Sequence, residues 1–157
     1  MKNKKHLIII VSLLIMLLVG CSIINNNTPT MTCTTKKTKK DGIERQTVVV
    51  YKINKEQLIY EYISSTTQKF DSKKMYNEYK KSQQKSVKES STKDAILSLK
   101  INDKKKELVF TLTLKNLTKN IKTEEEKNAI KASKVLKSNE ESQATCKFNG
   151  IKKEDLK

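Results

Sequence analysis

Apolar and polar positions alternate along this chain in a way that predicts a sheet more clearly than it predicts helices. Ala95, Leu97, Leu99 and Ile101 alternate with Ser98 and Lys100, and Leu108, Phe110, Leu112 and Leu114 alternate with Thr111, Thr113 and Lys115. Asn102, Asp103 and Lys104 sit between the two arms. A period of two on both arms means one covered and one wet face, as in an antiparallel hairpin protected on one side. Upstream, Met31 to Lys39 alternates weakly and then meets Asp41-Gly42, a dipeptide whose two positions tolerate the positive φ of a tight hairpin turn. Ile43 to Ile53 is β-branched and rich in valine, Asn54-Lys55 supplies a second turn, and Gln57 to Thr67 brings Leu58, Tyr60 and Tyr62 to one face. These segments predict a three-stranded meander. Ala144 to Phe148 adds a further strand, and Ile151 to Lys157 is a charged tail with no assignable element.

The helical signals are weaker. Asp71 or Ser72 can cap a helix whose Met75 and Tyr79 lie four apart, beside Tyr76. From Lys80 to Asp94 only Val87 breaks a Lys-, Ser- and Gln-rich run, so that helix is expected to fray into a solvated linker. Thr123 and Glu126 form a capping-box pattern, Glu124 to Glu126 suit a helix N-terminus, and Ile130, Ser133 and Leu136 define an inward stripe. The expected fold is α+β, an antiparallel β-sheet of about five strands, meander plus hairpin, with two helices on one face. It forms a single domain over residues 31–150.

Ahead of that domain lies a different pattern. Lys2, Lys4 and Lys5 precede an apolar stretch from Leu7 to Val19 interrupted only by Ser12, and Leu18-Val19-Gly20-Cys21 reads as the lipobox of an exported bacterial lipoprotein. Residues 1–20 are expected to be a signal peptide and Cys21 the lipidated first residue of the mature chain. A diacylglyceryl group carries two acyl chains at ~0.8 kcal/mol per buried methylene, enough for durable attachment where one chain is marginal. Residues 21–30, with three consecutive asparagines and Pro29, read as a tether able to extend about 30 Å. The expected location is the extracytoplasmic face of the cytoplasmic membrane.

Composition narrows the function within that location. The 157 residues carry a formal charge of +16, and Arg45 is the sole arginine. Lysine offers compact point charges rather than the planar fork used for bidentate recognition. Export removes intracellular DNA and RNA, so no nucleic-acid partner is expected; lipid headgroups and anionic envelope polymers remain as polyanions. The one histidine, His6, falls in the leader, which removes Ser-His-Asp, Cys-His and histidine-bearing metal sites from the mature chain. Gly20, Gly42 and Gly150 are the only glycines, too few for a phosphate-cradling loop. No catalytic residues, metal ligands or cofactor are expected. With Cys21 acylated, Cys33 and Cys146 remain as one disulfide pair, favoured outside the cytosol and lacking the Cys-X-X-Cys spacing of a redox centre. The tyrosines 51, 60, 62, 76 and 79 are read as core, in a chain with no tryptophan and three phenylalanines.

The lipobox, polar tether, strands, helix, hairpin and terminal helix together resemble small bacterial lipoproteins of the YehR-like kind. The resemblance implies a location and an architecture and transfers no binding residue. The expected function is a non-catalytic, membrane-anchored binding or accessory module whose partner is a protein or an anionic envelope polymer. Two alternatives stand beside it: an inhibitor or immunity-type protein acting on an exported enzyme, and a hydrolase using serine and lysine.

Overall fold

The computed structural model describes residues 28–119 and 121–156. Residues 1–20, Cys21 and the tether up to residue 27 lie outside the described residues. The fold is α+β, as expected, with more elements than the sequence pattern suggested. Seven strands form one antiparallel sheet: β1 Thr30–Thr34, β2 Thr38–Lys40, β3 Ile43–Ile53, β4 Ile59–Phe70, β5 Ala95–Asn102, β6 Glu107–Leu114 and β7 Thr145–Asn149. Their order is β5-β6-β4-β3-β1-β7, with β2 pairing β3 beside β1. The α-helices among the described residues are α1 Lys73–Ser90, α2 Glu124–Ala129 and α3 Ala132–Glu141, and a 3-10 turn covers Lys153–Asp155.

The Asp41-Gly42 turn forms as expected, with φ of 52° and 73° at its two residues. The strand expected over Met31 to Lys39 is split into β1 and β2. Between them Thr35 binds β3 sideways, its N–H and hydroxyl both donating to the Thr47 carbonyl, while Gln46 Nε2 donates to the Thr35 carbonyl. Near the other end of β3, Lys52 pairs Glu61 but Ile53 pairs Ile59, so Tyr60 is an extra residue in β4. That bulge corrects the one-face reading of Leu58, Tyr60 and Tyr62: Leu58 and Ile59 are buried, and Tyr62 packs on Tyr51.

The helices cover one face of the sheet at its two ends. At one end Tyr76 of α1 packs with Ile43, Phe70 and Leu108; at the other Ala132 and Leu136 of α3 pack with Met31, Cys33, Val49, Tyr51, Ile53 and Ile59. Ile43, Val49 and Tyr51 are odd-numbered along β3, so both clusters lie on the same side of the pleat. Between them the sheet is less covered, and in the β5–β6 hairpin only Leu108 is fully buried.

Two helix expectations are corrected. Ser72 caps α1, its hydroxyl accepting from Met75 N–H at 3.4 Å, but the helix runs to Ser90 instead of fraying at Lys80. Lys, Gln and Glu are good helix formers, and Val87 with the stems of Gln84 and Lys88 lies over Leu99 and Ile101 of β5. The second helix is interrupted. Lys131 is extended (ψ 130°), Ile59 N–H donates to the Ile130 carbonyl, and Ala132 N–H donates to the Gln57 carbonyl. The β3–β4 turn thus captures the backbone at 130–132 and divides the helix into α2 and α3. Ile130 and Leu136 face inward as expected, and Ala132 and Val135 join them.

β7 joins the sheet through β1 alone, with Cys33 directly opposite Cys146. The tail after it also contributes: Ile151 and Leu156 pack, partly buried, against the cluster around Met31.

Candidate functional site

An apolar pocket of about 290 Å³ opens on the helix-bearing face, at the end of the sheet where β1 begins. Its floor follows from strand register, because Tyr51, Tyr62 and Leu114 stand opposite one another on β3, β4 and β6. Ile59 joins them through the Tyr60 bulge. Asn116, at φ 58°, reverses the chain after β6, and Leu117 N–H donates to the Tyr60 carbonyl at 3.0 Å, which sets the Leu117 side chain on the rim. The wall is completed by Ile130, held by its carbonyl on Ile59 N–H at 2.9 Å, and by Val135 of α3.

The polar atoms of this region are turned to structural work. Tyr51 packs edge-on to Tyr62 with ring centroids 5.6 Å apart, and its hydroxyl accepts from Asn139 Nδ2 at 3.0 Å. Asn139 also donates to the Val135 carbonyl at 2.8 Å, tying that hydroxyl to α3. Burial pushes the Tyr51 hydroxyl pKa up, partly offset by the Asn139 hydrogen bond. The site therefore presents mainly hydrocarbon and aromatic edge.

The sequence singled out Cys21, Cys33 and Cys146. Cys21 lies outside the described residues. Cys33 and Cys146 form the expected disulfide, with Cα atoms 4.0 Å apart across 113 positions of sequence. Cys33 belongs to the same core cluster as Tyr51 and Ile59, so the staple braces one side of the pocket floor. The capping box forms as read: Thr123 Oγ1 accepts from Glu126 N–H at 3.1 Å, and Glu126 Oε2 accepts from Thr123 N–H at 3.1 Å. The acidic run thus closes a helix start, and among the described residues no group of three His, Cys, Asp or Glu side chains is placed to hold a metal. Reading the tyrosines as core holds for Tyr51 and Tyr76, which are 7% and 2% exposed. Sequence reasoning did not find the pocket. Leu117 carries no periodic signal, and the bulge at Tyr60 decides which β4 residues face inward.

A second polar arrangement sits at the opposite end. The buried Tyr76 hydroxyl donates to Asp103 Oδ1 at 2.8 Å, and Lys80 Nζ reaches the same oxygen at 2.7 Å. Burial, reinforced by that carboxylate, pushes the Tyr76 hydroxyl pKa up to about 12. The hydrogen bonds from Lys80 and Tyr76 hold the Asp103 carboxyl below its usual value. Asp71 is lowered in the same way by Lys39, 2.8 Å away, and Lys39 is raised by Asp71.

Compared with known proteins, the chain matches no family model, no curated protein and no solved structure.

Proposed function

We propose that this protein is a non-catalytic binding module, held at the extracytoplasmic face of the membrane by a lipid on Cys21, and that its pocket receives an apolar side chain of a partner protein. The observation that carries the reading is the pocket itself: open to solvent, walled by Tyr51, Ile59, Tyr62, Leu114, Leu117, Ile130 and Val135, and placed at the end of the sheet to which the tether leads. Small-molecule sites typically enclose about 300–1,000 Å³ and add a few convergent polar groups. A cavity of about 290 Å³ with hydrocarbon walls suits one anchoring side chain, the kind of buried contact that dominates protein interfaces. The Cys33–Cys146 disulfide fits an oxidising compartment.

The test places a photoreactive aromatic residue at Ile130, on the pocket wall, and irradiates intact cells. A discrete protein adduct that disappears when the pocket is filled by Val135→Trp supports the reading. Adducts insensitive to filling, adducts to lipid alone, or no adduct at all overturn it. Acyl incorporation into the wild type and not into Cys21→Ala tests the anchor separately.

A further inference from the structure

The end of the domain remote from the pocket is built from three turns that the fold knits into one surface. Asp71 N–H donates to the Gly42 carbonyl at 3.0 Å, and Phe70 N–H to the Lys106 carbonyl at 3.0 Å. Lys106 Nζ also donates to the Asp71 carbonyl. The β2–β3 turn, the β4–α1 junction and the β5–β6 turn are therefore tied together by hydrogen bonds. Two of their acidic groups are paired within this surface: Asp71 with Lys39, and Asp103 with Lys80 and Tyr76. Lys40, Lys73, Lys74, Lys104 and Lys105 are exposed and make no ion pair among the described residues; the other carboxylates nearby are Asp41, Glu107 at the start of β6, and Glu78 one helical turn after Lys74.

Two of these lysines sit where helix electrostatics disfavours them. The first turn of α1 contains no acidic residue and does contain Lys73 and Lys74, against the positive end of the macrodipole. α2, by contrast, opens with Glu124, Glu125 and Glu126. A cationic helix start beside two cationic turns is an arrangement that an anion would relieve.

We infer that this three-turn tip is a docking surface for a phosphodiester-linked anionic polymer of the cell envelope. Lysine point charges suit a repeating phosphate chain, which demands no bidentate geometry. The neighbouring rings, Phe70, Tyr76 and Tyr79, pack on one another inside the second core cluster and so leave no aromatic platform for stacking bases. The direction of the tip favours a polymer over the bilayer, a step that rests on the lipid-anchor reading. β1 starts at the far end of the sheet, and from Lys52, opposite Thr30, back to Ile43 the strand covers roughly 30 Å at about 3.3 Å per residue. Residues 22–29 can span no more than about that distance. Tip-down contact with the bilayer would need the whole tether at full stretch, whereas a domain held tip-outward needs almost none of it.

The test measures binding of purified poly(glycerol phosphate) to the full chain in neutral detergent, with an equal titration of anionic vesicles. Five lysines on a single-stranded polyanion predict a salt slope of about −3.5, so affinity should fall roughly 100-fold between about 50 and 200 mM salt. Replacing Lys40, Lys73, Lys74, Lys104 and Lys105 together with Gln should weaken binding at least tenfold at low salt and flatten that slope. The charge-matched variant with Lys122, Lys134, Lys137, Lys147 and Lys152 changed to Gln should change it less than twofold. As a readout free of variants, the polymer should protect the five tip lysines of the wild type from acetylation and spare the other five. Equal weakening in both variants, protection spread over all lysines, tighter capture by anionic vesicles, or no binding overturns the inference. The mass of the N-terminal peptide reports the anchor independently, so an unmodified Cys21 with intact tip binding would sink the anchor reading alone.

Discussion

Removing the Cys33–Cys146 bond isolates how much this thin core depends on a covalent staple. In the chain-entropy model a closed loop on the order of 100 residues contributes ~4.7 kcal/mol, and native disulfides in small exported domains contribute about 2–5 kcal/mol. The bridge here spans 113 positions and ties β7 to its only strand neighbour, β1. At roughly 4 °C per kcal/mol for a domain of this size, reduction should lower Tm by about 8–20 °C. The two single serine variants should not match. Cys33 is 1% exposed among Met31, Val49, Tyr51 and Leu136, so a hydroxyl there adds about 1–3 kcal/mol of desolvation to the lost bond. Cys146 is only half-buried, so Cys146→Ser should cost little beyond the bond. The double variant should melt close to Cys33→Ser alone. The assay is circular dichroism melting with and without a phosphine reductant in a Cys21→Ser background, comparing losses at Tm. Single losses that sum in the double variant, or a melt indifferent to reductant, would show that the two sulfurs do not act as one bond.

Two further outcomes follow from the polar contacts. Tyr76→Phe keeps the ring against Phe70 but removes the hydrogen bond to Asp103, and should cost about 1 kcal/mol at neutral pH. Because the folded hydroxyl pKa is raised from 10.0 to about 12, its contribution is complete below pH 10 and is lost as pH rises through 12. Wild-type stability should therefore decline across that interval more steeply than that of Tyr76→Phe in alkaline denaturant titrations; parallel curves would refute the assignment. Thr123→Ala breaks the capping box and should destabilise by about 1 kcal/mol in denaturant unfolding, while Thr123→Ser should restore most of it. An unchanged midpoint in Thr123→Ala would mean that α2 is held by its packing and not by its cap.

The sequence by itself determined the α+β class, most of the strand segments, the Asp41-Gly42 turn and the pairing of the cysteines. Alternation at period two marks β5 and β6, Asp41-Gly42 admits the positive φ its hairpin requires, and two cysteines left to the domain have one partner each. Local chemistry also placed the Ser72 cap and the Thr123–Glu126 box, because each is completed within four residues. What depends on distant contacts was not legible. The run from Lys80 to Ser90 is polar but for Val87, and its helix lies over β5 with Val87 on the side of Leu99 and Ile101. The break between α2 and α3 is imposed by hydrogen bonds with a turn some 70 positions earlier, from Ile59 N–H to the Ile130 carbonyl and from Ala132 N–H to the Gln57 carbonyl. The same capture sets Ile130 over Tyr51 and Tyr62, and the Tyr60 bulge sets which side of β4 faces them. Period and capping act over a few residues, so the chain declares them; the pocket and the basic tip gather residues from separate turns, and only the assembled sheet brings those turns together.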